Sequence, residues 1–116
     1  MDINKRLPKP IKITISTISE RKGEDIIVLD LRKLVTFTDY FIITTGNSSR
    51  QNLAIYQSIE ENLAKLKRWP HHVEGLENLE WILLDYGDFI VHIFSDKSRD
   101  YYSLESLWTD AKKYEF

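Results

Sequence analysis

The stretch TTGNSSRQN at residues 44–52 comes closest, among the polar runs of this sequence, to the chemistry of a phosphate-binding site. It follows an apolar run that is typical of a strand and precedes a pattern that is typical of a helix. A turn of this kind directs backbone N–H groups and the positive end of a helix at an anion. One hypothesis is therefore a nucleotide-binding enzyme that uses Gly46, Asn47, Ser48 and Ser49.

Phosphoryl chemistry at such a turn also needs carboxylates that hold metal ions. The turn resembles the Gly-Ser turn of the nucleotidyltransferase fold, whose enzymes carry an Asp-x-Asp pair on the next strand for this purpose. The corresponding strand here offers Asp85 and Asp88, which straddle a tight turn and should not project together. Ser48 and Gln51 also satisfy the S-x-x-Q capping box, which begins a helix whatever the function. The sequence thus favours a structural turn.

The histidines and serines do not form a recognisable catalytic or metal-binding pattern. His71 and His72 are adjacent and point to opposite sides of an extended segment, and no carboxylate pattern completes a metal site around His92. Ser48, His92 and Asp85 could be written as a hydrolase triad, but the Gly-x-Ser-x-Gly turn is missing. We expect no catalytic residues, no metal and no cofactor.

Length and composition predict one globular domain. The chain has 116 residues, 42% of them hydrophobic and 29% charged, which is ordinary for such a domain. A net charge of −2 argues against a dedicated nucleic-acid site, which needs a basic face. No run approaches the roughly 18 apolar residues that cross a membrane. The start, MDINKRLPKP, lacks the apolar region of a secretory signal, and the chain contains no cysteine, which fits a cytoplasmic protein.

The order of the expected elements predicts an α/β class. Two prolines, Pro8 and Pro10, separate a tail of residues 1–9 from a domain of residues 10–116. Residues 11–22 fit either a strand or a helix, and Pro10 near the start with Gly23 at the end favours a helix. Strands are predicted at 25–31, 40–45, 72–74, 81–86 and 89–94, a helix at 49–68, and short helices within 98–116. The fold class is therefore a single α/β domain with a mixed five-stranded sheet flanked by helices.

The segment LLDYGDFIVHIF, with the Trp-Ile that precedes it, predicts a β-hairpin whose two faces differ in character. A two-residue turn at Gly87 and Asp88 pairs Trp81 with Phe94. One face is then almost wholly apolar and reads as core: Ile82, Leu84, Tyr86, Phe89, Val91 and Ile93. The other face mixes aromatic, aliphatic and polar side chains: Trp81, Leu83, Asp85, Ile90, His92 and Phe94.

This second face has two interpretations. Aromatic anchors with a few polar groups are typical of a protein-binding surface. Alternatively, the C-terminal helices cover the face, and His92 and Asp85 hydrogen-bond to each other or to backbone groups. The pattern alone does not separate the two.

Four segments together resemble the ribosomal silencing factor family, also called RsfS or Iojap. They are DIIVLDL at 25–31, TDYFIITTGNSSRQ at 38–51, EGLENLEWILLDYGDFIVHIF at 74–94 and RDYYSLESLW at 99–108. The resemblance covers residues 10 to 111, and the second and third segments occurring in this order are highly specific. The β-branched segment 11–18 is its least typical part.

The resemblance implies a nucleotidyltransferase-like fold without catalytic residues, and a protein that is not an enzyme. Members of the family bind protein fourteen of the large ribosomal subunit and sterically block association with the small subunit. Translation is thereby repressed when nutrients are scarce, and a role in large-subunit maturation is also attributed to the family. Such proteins are cytoplasmic in bacteria.

Applied to this sequence, the resemblance predicts a partner-binding surface on the second hairpin face. Its expected residues are Trp81, Leu83, Asp85, His92 and Phe94, with Arg99 and Tyr102 at the rim. Free protein can pair with itself through the same surface, which would keep its aromatic side chains out of water. Incidental contact with ribosomal RNA is a further expectation.

Overall fold

A computed structural model of the protein describes residues 6–116 and shows three helices packed on one sheet. The helices are α1 (Lys9–Glu20), α2 (Ser49–Ala64) and α3 (Asp96–Tyr102), with a 3₁₀ helix at Leu104–Trp108. The strands are β1 (Glu24–Asp30), β2 (Tyr40–Gly46), β3 (His72–Glu74), β4 (Trp81–Asp85), β5 (Phe89–Ser95) and β6 (Lys112–Glu115). Of the predicted tail, residues 1–5 lie outside the described residues, and Leu7 is buried against the main core.

The six strands form one mixed sheet in the order β3-β4-β5-β2-β1-β6. Only the central pair, β2 and β5, is parallel; the others are antiparallel. A parallel pair needs a long crossover, and here the chain between β2 and β5 supplies α2, β3 and β4. The mixed α/β class is confirmed, whereas the likeness to the nucleotidyltransferase fold stays a prediction.

The first segment is a helix, as the flanking proline and glycine indicated. Ile11, Ile15 and Ile18 are buried on one face of α1, because residues three and four apart lie above one another on a helix. After Glu20, the N–H of Gly23 donates to the carbonyl of Ile18 (2.9 Å) and closes the helix. A Cβ at Gly23 would lie 2.4 Å from Ile18 Cγ2, so this close approach requires glycine.

The hairpin has the predicted register. Trp81 pairs with Phe94 and Leu84 with Val91, and the N–H of Tyr86 donates to the carbonyl of Phe89 (2.9 Å). All six residues of the predicted core face are buried in the main cluster beneath α1 and α2: Ile82, Leu84, Tyr86, Phe89, Val91 and Ile93. The alternation along the two strands therefore located the core correctly.

The C-terminal end corrects the predicted number of strands from five to six. Residues 98–116 contain helical turns as expected, but they end in β6, which pairs antiparallel with β1. The sequence of β6 is KKYE, with one aromatic residue among charged ones and only Tyr114 partly buried. So short and polar a strand carries no detectable alternation, and its partner lies more than 80 positions earlier.

A second apolar cluster occupies the opposite sheet face. Its buried members are Ile27, Leu29, Leu31, Phe41, Ile43, Ile90 and Phe94. Leu104, Trp108 and Ala111 of the C-terminal segment pack against it, as do Trp81 and Leu83. The C-terminal segment thus covers part of this face, and β4 lies beside the covered part.

Candidate protein-binding site

Trp81 is the centre of the candidate site, and its indole is held from three sides. Its ring stacks on Phe94 with centroids 4.9 Å apart and meets Tyr102 of α3 at 4.7 Å. Its Nε1–H donates to His92 Nδ1 (3.1 Å). Trp81, the first residue of β4, stays partly exposed. An aromatic side chain fixed in this way loses little entropy when it contacts a partner.

His92 supports Trp81 from beneath the surface. It is only 3% exposed and packs edge-on against Phe41 with centroids 4.6 Å apart. Because Nδ1 accepts the indole N–H, the ring proton of neutral His92 belongs on Nε2. Burial lowers the pKa of His92 to about 3. His92 is therefore a neutral acceptor that orients the indole, and its distance from solvent keeps it from acting as a free base.

Three more predicted residues lie at the surface near Trp81. Leu83 is partly exposed, and Tyr102 is 51% exposed. Asp85 is also partly exposed, but its Oδ1 accepts the N–H of Gly87 (2.8 Å) and so braces the hairpin turn. Trp81, Leu83 and Tyr102 line a shallow pocket of about 310 Å³. Aromatic and aliphatic side chains are thus exposed together on β4, beside the edge strand β3. We call this surface, formed by Trp81, Leu83, Asp85 and Tyr102, the Trp81 edge.

Arg99 is placed differently from the expected rim position. Its side chain is 11% exposed, and its guanidinium binds both carboxylate oxygens of Glu105 (3.0 and 3.2 Å). Nη1 also donates to the carbonyl of Asp25 (2.7 Å) and to Thr45 Oγ1 (2.8 Å). Arg99 therefore clasps the C-terminal segment to β1 and β2. Its partners Glu105 and Thr45 were not singled out from the sequence.

The seven predicted residues thus divide into two groups. Trp81, Leu83, Asp85 and Tyr102 have exposed surface, whereas His92, Phe94 and Arg99 are buried or nearly so. The C-terminal segment covers the β1, β2 and β5 portion of the face, as the second interpretation expected, and the Trp81 edge stays open. That this open surface binds a protein stays a prediction. The buried residues can position this edge but cannot touch a partner in this structure.

The TGNSS turn uses its polar groups internally. Ser48 Oγ accepts the N–H of Gln51 (3.0 Å) as the helix cap. Gln51 Oε1 accepts the N–H of Asn47, one residue before the cap rather than at the cap itself. Gln51 Nε2 donates to the carbonyls of Arg21 and Lys22 (3.0 and 2.9 Å). The turn therefore joins α2 to the end of α1, and the structural interpretation accounts for Ser48 and Gln51.

Asn52 links the same turn to the candidate site. Asn52 is buried, and its Nδ2 donates to the carbonyl of Leu79 (2.8 Å). Leu79 lies in the loop before β4 and has a positive φ of 62°. A Cβ at Gly46 would lie 1.9 Å from Asn52 Oδ1, so only glycine leaves room for this amide. Asn52 thus fixes the loop that leads to Trp81. A buried asparagine at a helix start gives no sequence signal for this role.

Asp85 and Asp88, the two carboxylates considered for metal binding, are each engaged within the protein. Asp85 braces the hairpin turn, and Asp88 is paired with Arg68. Within residues 6–116, no group of three or more histidines or carboxylates is arranged to hold a metal ion. No helix in that range is long and apolar enough to span a membrane.

Comparisons with known proteins agree with this architecture. The model of the family RsfS, described as "Ribosomal silencing factor during starvation", matches residues 4–116. The ribosomal silencing factor of Bacillus subtilis is 38% identical over 101 residues, which cover 87% of this chain and 86% of that protein. A mouse protein named mitochondrial assembly of ribosomal large subunit protein 1 is 29% identical, covering 85% of this chain and 45% of that one.

A solved structure has the same fold. The crystal structure of a protein from Chromobacterium violaceum superposes with a TM-score of 0.83 and 37% identity, covering 93% of this chain and 87% of that chain. The mixed sheet and the helices packed on it define an α/β protein, and the family match assigns that protein to the ribosome-associated regulators. The chain belongs to the ribosomal silencing factor family, a family of translation regulators.

Proposed function

We propose that this chain binds protein fourteen of the large ribosomal subunit and sterically blocks association with the small subunit, which represses translation. The family assignment supports a ribosomal partner. The name of the mouse relative refers to assembly of the large subunit, which supports that subunit as the partner. The observation that carries the proposal is the open aromatic edge at Trp81, which the fold holds in place without covering it.

The proposed contact is made by the exposed part of this edge. Trp81 is the central anchor, with Tyr102 and Leu83 beside it and Asp85 setting the register at the turn. Hot-spot residues at interfaces are enriched in tryptophan and tyrosine and lie in well-packed surroundings. His92 and Phe94 act from below by fixing the indole, and so contribute to binding through Trp81.

Steric blocking of subunit association requires only that a folded domain is bound at the joining face of the large subunit. The Cα trace extends over 33 × 33 × 27 Å, which is large compared with the gap between two surfaces in contact. A domain of this size bound on the joining face of the large subunit keeps the small subunit away, with no chemical step. Under this proposal the protein is not an enzyme, and we expect it in the bacterial cytoplasm.

The same edge supports two lesser proposals. Two free copies can pair through their Trp81 edges, since this would remove exposed aromatic surface from water. Contact with ribosomal RNA is incidental to the protein contact, because the chain has a net charge of −2 and few phosphate contacts can form.

Replacing Trp81 by alanine tests the proposed contact. We expect Trp81→Ala to weaken cosedimentation with purified large subunits by about 30-fold or more, which corresponds to the roughly 2 kcal/mol of a hot-spot aromatic residue. Tyr102→Ala, at a half-exposed position, provides a second variant whose fold is easier to preserve, and it should weaken binding in the same direction.

Phe116→Ala is the matched control. Phe116 is also an exposed aromatic residue, at 41%, but it follows β6 at the other edge of the sheet, and we expect unchanged cosedimentation. Wild-type affinity in both folded Trp81→Ala and Tyr102→Ala would show that the partner binds elsewhere.

A further inference from the structure

Trp69 is a second exposed tryptophan, on a part of the molecule that the proposed ribosomal contact does not use. Trp81 and Trp108 pack against aromatic partners on the second sheet face, whereas Trp69 is 60% exposed. An indole that stands in water retains a large apolar area that a partner can cover. Trp69 therefore needs an explanation other than the core or the Trp81 edge.

The backbone on both sides of Trp69 is fixed. Before it, Lys67 has a positive φ of 60°, and the N–H of Arg68 donates to the carbonyl of Leu63 (3.0 Å), which closes α2. After it, the N–H of His71 donates to the carbonyl of Asp85 (2.7 Å). The exposed indole is therefore carried by a well-anchored segment, and a partner would pay little to order it.

Trp69 borders a groove whose other wall is the outer face of α2. The groove has a volume of about 590 Å³ and is lined by Gln57, Glu60, Glu61, Ala64, Trp69, Pro70 and Val73. The four α2 residues are spaced three, one and three apart, which places them on one helix face. The groove thus combines apolar side chains and the Trp69 indole with the carboxylates of Glu60 and Glu61.

The groove lies on the opposite side of the sheet from the Trp81 edge. Val73 pairs with Leu84, whose side chain is buried in the main core under the helices. Glu74, the next residue, pairs with Leu83 on the face that carries Trp81. Because neighbouring residues of a strand point to opposite faces, one partner on the Trp81 edge leaves the Trp69 groove free.

The charges in the groove select a cationic ligand. Glu60 Oε2 accepts the hydroxyl of Tyr56 (3.0 Å), which leaves its other oxygen for a further donor. Neither Glu60 nor Glu61 forms an ion pair with another of the described residues; Lys65 Nζ contacts Asn62 Oδ1 (3.4 Å), and Arg68 pairs with Asp88. Two carboxylates beside an exposed indole favour a guanidinium or ammonium group, which can stack on the ring and pair with the carboxylates.

We propose that the groove between α2 and Trp69 binds an arginine- or lysine-bearing segment of a protein partner. The cation lies over the indole and pairs with Glu60 and Glu61, while the aliphatic part of its side chain contacts Ala64 and Val73. Nucleic acid does not fit this groove, because its phosphates would face two carboxylates. The binding goes beyond the proposed silencing contact and uses none of its residues.

The test is a titration of the whole chain with the peptide acetyl-Arg-Gly-Arg-amide, followed by NMR of the three tryptophan indole N–H signals. A Trp69→Phe variant assigns the Trp69 signal. We expect that signal to shift saturably, with Trp81 and Trp108 unchanged, and the apparent affinity to fall as salt rises. The peptide with citrulline in place of arginine has nearly the same shape without the charge, and should produce no saturable shift.

A pair of charge-matched variants separates local binding from net charge. The double variant Glu60→Gln/Glu61→Gln should weaken binding of the arginine peptide by about five- to tenfold. Glu20→Gln with Glu77→Gln removes the same charge at exposed positions outside the groove and should leave binding unchanged. An unshifted Trp69 signal, equal shifts with the citrulline peptide, or a stronger shift with poly-uridylate would overturn the proposal. None of these outcomes bears on cosedimentation of the Trp81 variants.

Discussion

At the level of single residues, the hydrogen bond from Trp81 to His92 explains why a histidine lies on a strand face that is otherwise apolar and aromatic. Leu83 pairs directly with His92 across the hairpin, and Trp81 reaches the same imidazole from two positions earlier. The neutral ring accepts the indole N–H and packs on Phe41. The hydrogen bond satisfies Nδ1, whereas the buried Nε2–H has no hydrogen-bond partner among the described residues, and an unpaired buried donor costs about 1–3 kcal/mol. His92 therefore orients the tryptophan at some cost to stability.

The protonation of His92 should make stability depend on pH. Burial lowers the pKa of His92 to about 3 in the folded protein, while the unfolded chain titrates near the usual value of about 6.5. Between these values the unfolded state binds more protons. The free energy of unfolding therefore falls as pH decreases from about 6.5 to 4, by up to roughly 1.4 kcal/mol per pH unit from this group.

Urea unfolding at several pH values measures this dependence. We expect His92→Gln to have a shallower decline in unfolding free energy than the wild type over this range, because glutamine does not titrate. His72, which lies on β3 with 60% of its side chain exposed, provides the control, and His72→Gln should keep the wild-type decline. Identical declines in His92→Gln and the wild type would contradict the buried neutral state.

At the level of elements, the C-terminal segment is held on the sheet by Arg99. The guanidinium joins Glu105 to the backbone of β1 and to Thr45 of β2. We expect Arg99→Ala to lower the free energy of unfolding by roughly 2–4 kcal/mol, since it removes an 11% exposed guanidinium that holds four hydrogen bonds to three separate segments. Hydrogen exchange should show faster exchange of the β6 amides.

Arg32 offers a matched control for this prediction. It also binds one carboxylate with two nitrogens, at Asp30 (3.0 and 2.8 Å), but its side chain is 59% exposed. Asp30 is only 11% exposed, but it keeps the backbone N–H of residue 32 as a donor when the side chain is removed. Because the lost guanidinium lies mostly in water and hydrogen-bonds to no other described segment, Arg32→Ala should cost about 1 kcal/mol. Equal losses for the two variants would mean that Arg99 is one more surface ion pair and does not act as a clasp.

The hairpin and the C-terminal segment show which elements the sequence reveals. The β4–β5 hairpin was predicted with its register, because alternation, a Gly-Asp turn and a strongly apolar face all act locally. The strand β6 and the hydrogen bonds of Arg99 were not predicted, because their partners are distant in the sequence. Arg99, for example, binds the carbonyl of Asp25, 74 positions earlier. The same distance explains why His92, Phe94 and Arg99 were expected at the surface, where the structure shows them buried or nearly so. Trp81 and Tyr102 do have exposed surface, and their part in binding stays a prediction.

At the level of the whole molecule, the nucleotide-binding alternative makes a separate prediction. The amide of Asn47, the hydroxyl of Ser48 and the side chain of Gln51 are occupied within the protein. We therefore expect isothermal calorimetry with ATP and magnesium to show no saturable heat. The matched titration without magnesium provides the baseline, and micromolar binding that depends on magnesium would restore an enzymatic function at this turn.

A subunit-joining assay tests the central claim most directly. Purified large and small subunits are mixed with increasing amounts of the wild-type chain or of Trp81→Ala, and joined ribosomes are quantified by sedimentation. We expect the wild type to reduce joining in proportion to its occupancy of large subunits, and Trp81→Ala to require about 30-fold more protein for the same effect. Undiminished joining at saturating occupancy by the wild-type chain would contradict steric silencing.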